Sequence, residues 1–129
     1  DIKVQIGTAI QLDKELTMCV KGRDQIGGLL SKIELTSEDV REAMREPLKE
    51  IADALKATLE IMPPQLAADI VENGVALTGG GALIRGLDKY LADYVKLPVY
   101  VADEPLLAVA NGTGIALKDP MIFKNLSDE

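Results

Sequence analysis

The stretch that decides the fold runs Asn73-Gly-Val-Ala-Leu-Thr-Gly-Gly-Gly-Ala-Leu-Ile-Arg-Gly-Leu-Asp-Lys89. Its apolar run, Val75 to Leu77, predicts a strand, and three consecutive glycines follow, with a helix expected to start directly after them. Glycine permits positive φ and lets a ligand reach the backbone without meeting a Cβ. The start of the next helix would offer unpaired N–H groups and a positive dipole end to phosphate or ribose oxygens. The loop is therefore either a nucleotide contact or a tight strand-to-helix turn.

The common phosphate-loop patterns do not fit this loop. From Gly79 onward, G-x-G-x-x-G fails because Ile84 occupies the place of the third glycine. The segment 81–86 has the G-x-x-x-x-G spacing, but Leu87 and Asp88 follow where a Walker loop needs Lys and Ser or Thr. Because that lysine reaches the β- and γ-phosphates, the loop is not a self-sufficient triphosphate cradle.

The residues from Val75 to Asp88 closely resemble the adenosine-side loop of the bacterial actins of the MreB cell-shape family. The resemblance continues, in the same order along the chain, in Val20-Lys-Gly-Arg-Asp24, Ile33-Glu-Leu-Thr-Ser-Glu38, Arg45-Glu-Pro47, Pro63-Pro64 followed by Leu66-Ala-Ala-Asp-Ile70, Leu97-Pro-Val99, Ala102-Asp-Glu-Pro105 and Gly112-Thr-Gly114. It extends to about Leu117, and it is specific to MreB-like proteins rather than to actin-fold ATPases in general.

This resemblance implies an α/β, actin-like ATPase fold, of which the chain forms part of the second lobe. Residues 1–62 are expected to form a small antiparallel sheet with a long covering helix, similar to subdomain IIB, with the helix leading back to IIA. Residues 63–129 are expected to form an α/β unit similar to subdomain IIA, which carries the glycine loop on the nucleotide side.

The ligand implied by the resemblance is ATP, accompanied by Mg²⁺ in the complete protein. The implied adenosine contacts, acting mainly through backbone atoms, are Gly79, Gly80, Gly81 and Ala82. The family's phosphate loops, its Mg²⁺-positioning acids and a Glu-bearing helix that contacts the ribose would all lie upstream of Asp1. The chain begins with Asp rather than Met, which suggests a fragment or a processed segment. We therefore expect no catalytic residue, no metal ligand and no ATP hydrolysis by this chain alone.

The resemblance also implies partners and a place in the cell. A subunit of this family self-associates head to tail into filaments, in the cytoplasm at the inner face of the membrane, and organises cell shape or intracellular position. The missing first lobe is a further expected partner, and it would carry the family's membrane-binding elements. Two alternatives stay open: half of a kinase-type or chaperone-type actin-fold ATPase, and a stand-alone interaction module without nucleotide. Fold alone does not separate them, but the motifs from Val20 to Thr113 favour the filament family.

Composition narrows the chemistry further. A formal net charge of −7 disfavours nucleic acid and anionic membrane surfaces as direct partners. The chain has no His, which removes His-based catalysis, and its single cysteine excludes both an intrachain disulfide and a structural zinc site. Cys19 is expected to be a buried strand residue in a reducing compartment. No apolar run of 18 residues is present.

Periodicity predicts the elements of the first region. The alternation Ile2, Val4, Ile6 predicts a strand, and Leu16–Val20 and Leu29–Leu35 predict two more in a small antiparallel sheet. Thr36 with Asp39 resembles a capping box that begins a helix running to about Glu60. The apolar stripe of that helix is expected to be Val40, Met44, Leu48, Ile51, Leu55 and Leu59. Inside it Pro47 predicts a kink, which is either local shape or a connection between lobes.

The second region alternates between helices and strands. Pro63-Pro64 ends the long helix, and a short helix over 65–72 and a strand over 74–78 follow. The next helix is expected to carry its apolar face at Leu83, Leu87, Tyr90, Leu91 and Tyr94, followed by a strand over 97–101, and the order indicates a largely parallel sheet. Pro105 is expected to open a final helix whose Gly112 and Gly114 pack closely on the glycine loop or sheet, or contact the ligand directly.

Overall fold

The computed structural model describes residues 1–23 and 27–118. Its elements are α1 (Ile2–Ile6), β1 (Thr17–Arg23), β2 (Leu30–Thr36), α2 (Ser37–Glu60), α3 (Pro64–Asn73), β3 (Val75–Leu77), a 3₁₀ turn (Gly80–Leu83), α4 (Leu87–Val95), β4 (Val99–Val101) and α5 (Ala108–Lys118). Two parts of the sequence predictions lie outside the described residues: Asp24, the last residue of the motif that begins at Val20, and 119–129, the end of the second predicted region. None of the described helices combines the length and the apolar character needed to cross a membrane.

The first segment is a helix, so the strand predicted over Ile2–Ile6 is wrong. Its amides bond four residues back, from Gln5 N to Asp1 O and from Gly7 N to Lys3 O, each at 3.0 Å. Only Ile6 is buried, whereas Val4 is 76% exposed. A run of five residues is too short for a period of two to be told from a period of 3.6.

The strands β1 and β2 form an antiparallel hairpin, which confirms the second and third predicted strands. Its register pairs Thr17 with Thr36 and Arg23 with Leu30. Because α1 is a helix, this sheet has two strands in the described part of the chain rather than the three predicted. Cys19 is exposed rather than buried, because the alternation along β1 turns it to the open face of the hairpin.

The long helix α2 begins with the predicted capping box. The Thr36 hydroxyl accepts a hydrogen bond from Asp39 N at 3.1 Å, and Thr36 N donates to the Asp39 carboxylate at 2.8 Å. Its end at Glu60 is as predicted, and Pro47 lies within it. The apolar stripe differs at one position, because Ile51 is 50% exposed whereas Ala52 is fully buried.

The core forms where α2 packs against α4 and the segment after α1. Its buried members are Ala9, Leu48, Ala52, Leu87 and Leu91, surrounded by the partly buried Met44, Leu55, Leu77, Ile84, Tyr90 and Val99. The buried members come from both predicted regions, 1–62 and 63–129. The division of the chain at residue 62 stays a prediction.

The second sheet consists of β3 and β4, which pair in parallel with Val75 opposite Val99 and Leu77 opposite Val101. The predicted strands and their parallel order are confirmed. The final helix begins at Ala108 rather than at Pro105. A Cβ built on Gly112 or Gly114 would meet nothing within 4 Å in the described part of the chain, so the predicted close packing is wrong. The physical reason is that α5 has no buried residue.

Candidate functional site

Two loops meet at the carboxyl ends of β3 and β4. Because the strands are parallel, the glycine loop after β3 and the loop 102–107 after β4 emerge at the same edge. They are joined by hydrogen bonds from Gly79 N to Pro105 O at 2.7 Å and from Ala102 N to Leu77 O at 3.0 Å. In open α/β sheets, ligands bind in the crevice outside the carboxyl ends of the strands. This edge is therefore the candidate site.

Gly79 fixes the course of the glycine loop. Its φ is 77° and its ψ is −178°, a combination that is open only to glycine. A Cβ at this residue would meet no described atom within 4 Å, so the backbone conformation, and not crowding, requires the glycine. Its amide is used by Pro105 O, which ties the start of the loop to the neighbouring loop.

The next residues expose their backbone. Gly80 and Gly81 are exposed, whereas Ala82 is 5% exposed and its amide donates to Gly79 O at 3.3 Å. The amides of Gly80 and Gly81 have no acceptor among the described residues. These two N–H groups open the 3₁₀ turn, where the first donors of a helix lack an internal acceptor. They can donate to a ligand oxygen.

The helix that follows begins later than its sequence pattern predicts. The 3₁₀ turn Gly80–Leu83 comes first, and α4 begins at Leu87 after Gly86, whose φ is 70°. The expectation that a helix starts directly after the glycines is therefore wrong. Consequently the free donors of the loop belong to the 3₁₀ turn and not to the N-terminus of α4.

A cavity of about 260 Å³ adjoins the loop. It is lined by Lys3, Val4, Gly80, Leu83, Ile84 and Leu106. Its lining residues are mainly apolar, with Gly80 and Lys3 as the exceptions, and binding pockets for small organic molecules have this kind of lining. Such a lining suits a largely apolar group better than a bare anion.

Of the four predicted contacts, Gly80 lines this cavity, whereas Gly79, Gly81 and Ala82 are not among its described lining residues. Sequence reasoning therefore missed the other five lining residues, which are Lys3, Val4, Leu83, Ile84 and Leu106. The first two were assigned to a strand of a separate small sheet, and Leu106 was assigned to the interior of a helix. The available signal for Leu106 was Pro105, because a proline often marks a loop rather than the interior of a helix. No local signal indicated that α1 lies beside the glycine loop, because that contact is made between residues far apart in the sequence.

A packed junction holds the segment after α1 against this region. Thr8 forms a parallel bridge with Arg85, and Ala9 N donates to Arg85 O at 2.8 Å. The fully buried Thr8 hydroxyl lies 2.8 Å from Ile10 O and 3.2 Å from Arg85 O. A Cβ on Gly86 would lie 2.4 Å from Ile10 Cγ1, so glycine is needed here for close approach as well as for its positive φ. We refer to residues 8–10 with 85–86 as the junction.

Ionisable groups contribute little inside the cavity. Lys3 is the titratable residue among its lining side chains. In the described part of the chain, no cluster of three or more His, Cys, Asp or Glu residues could hold a metal ion. The pKa shifts lie elsewhere: a hydrogen bond from Ser37 lowers the pKa of Glu15, and a hydrogen bond to Asp53 raises the pKa of Tyr94. The geometry supports binding through backbone amides and apolar walls.

Comparison with known proteins finds relatives that match most of this chain. The family described as MreB/Mbl protein has a model that matches residues 1–125. The cell shape-determining protein Mbl of Bacillus subtilis (strain 168) is 44% identical over 117 residues, which are 91% of this chain and 35% of that protein. The cell shape-determining protein MreB of Escherichia coli (strain K12) is also 44% identical over 117 residues, covering 91% of this chain and 34% of that protein. The chain thus spans about a third of the length of these relatives.

Solved structures show the same fold. MreB5 of Spiroplasma citri bound to ADP matches with a TM-score of 0.87 and 38% identity, over 99% of this chain and 38% of that chain. MreB5 bound to AMPPNP matches with a TM-score of 0.86. The MamK double helical filament, 19% identical with a TM-score of 0.60, supports the fold alone. The predicted actin-like α/β fold is confirmed, and the chain belongs to the MreB/Mbl protein family.

Proposed function

We propose that this chain is the adenosine-contacting part of an ATP-binding, actin-like protein that forms filaments and determines cell shape. The observation that carries the proposal is the exposed backbone of Gly80 and Gly81 beside an apolar cavity at the carboxyl ends of two parallel strands. The relatives support it, because Mbl and MreB are named cell shape-determining proteins and the MreB5 structures are described as bound to ADP and AMPPNP.

The residues of the loop suit an adenosine in three ways. The amides of Gly80 and Gly81 have no acceptor among the described residues and can donate to ribose or phosphate oxygens. The apolar walls of the cavity can exclude water from a purine ring. Lys3 lines the same cavity, and its side chain carries a charge that can attract an electronegative atom of the ligand. Ala82 is 5% exposed and its amide donates to Gly79 O, so it is less open to a ligand than Gly80 and Gly81.

This role is one of binding and orientation. The bound nucleotide supplies the triphosphate chemistry, and by the family resemblance the residues that act on the phosphates and on Mg²⁺ belong to other segments of the complete protein. We propose that the chain corresponds to the second lobe, with residues 1–62 on the IIB side and 63–129 on the IIA side. Alone, it should bind adenosine weakly and should not hydrolyse ATP.

The same proposal covers partners and location. The complete protein self-associates into filaments in the cytoplasm, at the inner face of the membrane, and requires the first lobe to close over the nucleotide. Either cell shape or intracellular position is organised by the filament. The 44% identity to proteins named for cell shape favours the first task.

The test is a titration of the chain with labelled ATP and Mg²⁺, comparing the wild type with Gly80→Val. The φ of Gly80 is not in the left-handed range, and a Cβ there would lie 3.6 Å from Leu106 Cδ2. Valine therefore fills the entrance to the cavity without backbone strain, and we expect its affinity to fall by at least about tenfold.

The matched control is Gly22→Val in β1, where a Cβ would meet nothing within 4 Å among the described residues and which does not line the cavity. It should bind ATP as the wild type does. Equal affinity of all three proteins would contradict the assignment of the loop. Absence of wild-type binding at millimolar ATP would reject the nucleotide role and favour an interaction module.

A further inference from the structure

A second cavity lies where the junction, α2 and α4 meet. It has a volume of about 160 Å³, and its lining residues are Ala9, Arg41, Arg45, Leu48 and Tyr90. None of these residues lines the cavity at the glycine loop. Ala9 and Leu48 are buried members of the core, so the polar part of the lining comes from the two arginines and the tyrosine.

The arginines and the tyrosine come from two helices that pack together. Arg41 and Arg45 are four residues apart on α2, a spacing that places both side chains on one side of the helix. Tyr90 belongs to α4 and packs against the core. The side chain of Arg41 is 21% exposed and that of Arg45 is 67% exposed. The cavity is therefore bordered by one half-buried and one exposed guanidinium group.

Each guanidinium group uses only part of its hydrogen-bonding capacity. Arg41 Nη1 lies 3.4 Å from Ile10 O and 3.3 Å from Glu15 Oε1. Arg45 Nη2 donates to the carboxylate of Glu42. A guanidinium group carries five N–H donors, and the Nε and second Nη atoms of both arginines have no acceptor among the described residues. Donors therefore remain available at the cavity.

The hydroxyl of Tyr90 also has no hydrogen-bond partner in the described part of the chain. Like the guanidinium groups, it can donate to an anion. The cavity is smaller than pockets for drug-sized ligands, which measure roughly 300–1,000 Å³. Its size and donors therefore suit one small oxyanion, with any attached group left outside.

The neighbouring charges distinguish a carboxylate from a phosphate. Glu15 and Glu42 each neutralise one of the two arginines, so a monovalent carboxylate would repeat contacts that these residues already make. A phosphate group carries more negative charge and more acceptor oxygens than a carboxylate. It can therefore accept hydrogen bonds from both arginines and from the tyrosine at the same time.

We infer that this cavity binds a phosphate group, which accepts hydrogen bonds from Arg41, Arg45 and Tyr90. The site is separate from the proposed nucleotide contact and does not depend on it. Because Arg41 also contacts Ile10 O, a bound phosphate connects α2 both to α4 and to the junction. Binding to the folded chain stabilises it by mass action.

The test is a titration of the full chain with inorganic phosphate at constant ionic strength. The arginine Nε–H signals in ¹H–¹⁵N spectra report the contact, and we expect saturable shifts of Arg41 and Arg45 at millimolar phosphate. Arg45→Gln should weaken binding by about tenfold, because a charge-assisted hydrogen bond is lost. The matched control is Lys49→Gln, which removes the same charge from an exposed position of α2 that does not line the cavity. It should change affinity less than twofold.

A second pair of variants tests the competition with the neighbouring carboxylate. Glu42→Gln releases the guanidinium group of Arg45, so it should strengthen phosphate binding by about twofold to fivefold, the range that loss of one exposed ion pair allows. Glu46→Gln, which removes the same charge from an exposed position of α2, is the control and should have a smaller effect. A purely structural role for Arg45 would not produce tighter binding in Glu42→Gln.

The hydroxyl of Tyr90 is tested by Tyr90→Phe. This change removes one donor and keeps the ring in the core, so affinity for phosphate should fall by about threefold. Tyr100→Phe is the control, because Tyr100 lies on β4 and does not line the cavity. Its affinity should equal that of the wild type.

Comparison of anions identifies the source of the phosphate group. Equal affinity for glycerol 3-phosphate and inorganic phosphate would support a site that recognises the phosphate group of either source. Tighter binding of inorganic phosphate would support the free ion as the ligand. Acetate that binds as tightly as phosphate would overturn the assignment, because a carboxylate would then be sufficient.

Two further results would overturn the inference. One is the absence of saturable shifts in the wild type at high millimolar phosphate. The other is an equal loss of affinity in Arg45→Gln and Lys49→Gln, which would indicate a general effect of charge. Melting temperatures confirm that each variant is folded, and the exposure of Arg45 makes its replacement compatible with the fold.

Discussion

Gly81 and Gly86 lie five positions apart in one stretch of sequence, but glycine is needed at the two positions for different physical reasons. Gly86 belongs to the junction, where a Cβ would lie 2.4 Å from Ile10 Cγ1 and φ is 70°. Gly81 belongs to the glycine loop, where a Cβ would meet nothing within 4 Å among the described residues and φ is not in the left-handed range. Packing and conformation explain the glycine at 86. Neither explains the glycine at 81, for which we propose that a ligand approaches the backbone.

The junction and the glycine loop also differ in whether their polar groups have hydrogen-bond partners. In the junction, the buried Thr8 hydroxyl and Arg85 O are both engaged in hydrogen bonds. In the loop, the amides of Gly80 and Gly81 have no acceptor in the described part of the chain. The polar groups named in the junction are therefore satisfied within the folded chain, whereas the two loop amides have no acceptor among the described residues.

The largest expected effect distinguishes the two glycines by stability. Gly86→Ala should lower the free energy of unfolding by about 3 kcal/mol, because an L-residue with left-handed φ costs roughly 1–2 kcal/mol and overpacking adds roughly 1–3 kcal/mol. Gly81→Ala, the matched control, should stay within about 0.5 kcal/mol of the wild type. Urea unfolding followed by circular dichroism measures both. Similar losses at the two sites would contradict the contrast between packed and open glycine.

A smaller effect is expected from the junction's buried hydroxyl. Thr8→Val keeps the shape of the side chain but removes the partner of Ile10 N, which lies 3.3 Å from Thr8 Oγ1. We expect a loss of about 1.5 kcal/mol in the free energy of unfolding, as for other buried groups left unsatisfied. Thr113→Val is the control, because that hydroxyl is exposed on α5 and, within the described part of the chain, donates to Val109 O of its own helix. Unfolding curves in which the two variants lose the same stability would rule out a special role for Thr8.

The smallest expected effect is on the pH dependence of stability, and it concerns Glu15 in the segment that follows the junction. Glu15 accepts a hydrogen bond from the Ser37 hydroxyl and lies 3.3 Å from Arg41 Nη1. The Ser37 bond, opposed by desolvation and aided by Arg41, lowers the pKa of Glu15. A carboxylate with a lowered pKa stabilises the fold above its unfolded pKa of about 4.3, and this contribution is lost as pH falls through the folded value.

Glu15→Gln should therefore lose stability at pH 7 and show a weaker decline of stability below pH of about 4 than the wild type. Chemical unfolding at a series of pH values measures this difference. Glu34→Gln, on an exposed position of β2, is the matched control and should follow the wild-type profile. A Glu15→Gln profile parallel to that of the wild type would show that the Ser37 and Arg41 contacts do not couple protonation to folding.

Long periodic segments and local end signals were predictable. The capping box and α2 were predicted because both depend on residues three or four apart along the chain. The pairs β1–β2 and β3–β4 were predicted because apolar runs and turn residues mark them in order. The glycine loop was also identified as the candidate site, although its role remains a proposal.

Short or exposed segments were not predictable in the same way. The five residues of α1 fit two periods equally well, and the exposure of Cys19 depends on which face of the hairpin is covered. The delayed start of α4 follows from the close approach of Gly86 to Ile10, which are far apart in sequence. Gly112 and Gly114 have open space around them in the described chain, which no local pattern indicated.

The family, the order of most helices and strands, and the presence of a glycine loop after an apolar strand could all be predicted from the sequence alone. These features depend on the spacing of residues and on backbone freedom, and both are properties of short stretches of sequence. The position of α1 and Leu106 beside that loop, and the contrast between the packed Gly86 and the exposed Gly80 and Gly81, became visible in the folded chain. The reason is that a cavity is made by residues distant in the chain, and their approach depends on how α2, α4 and the segment after α1 pack together.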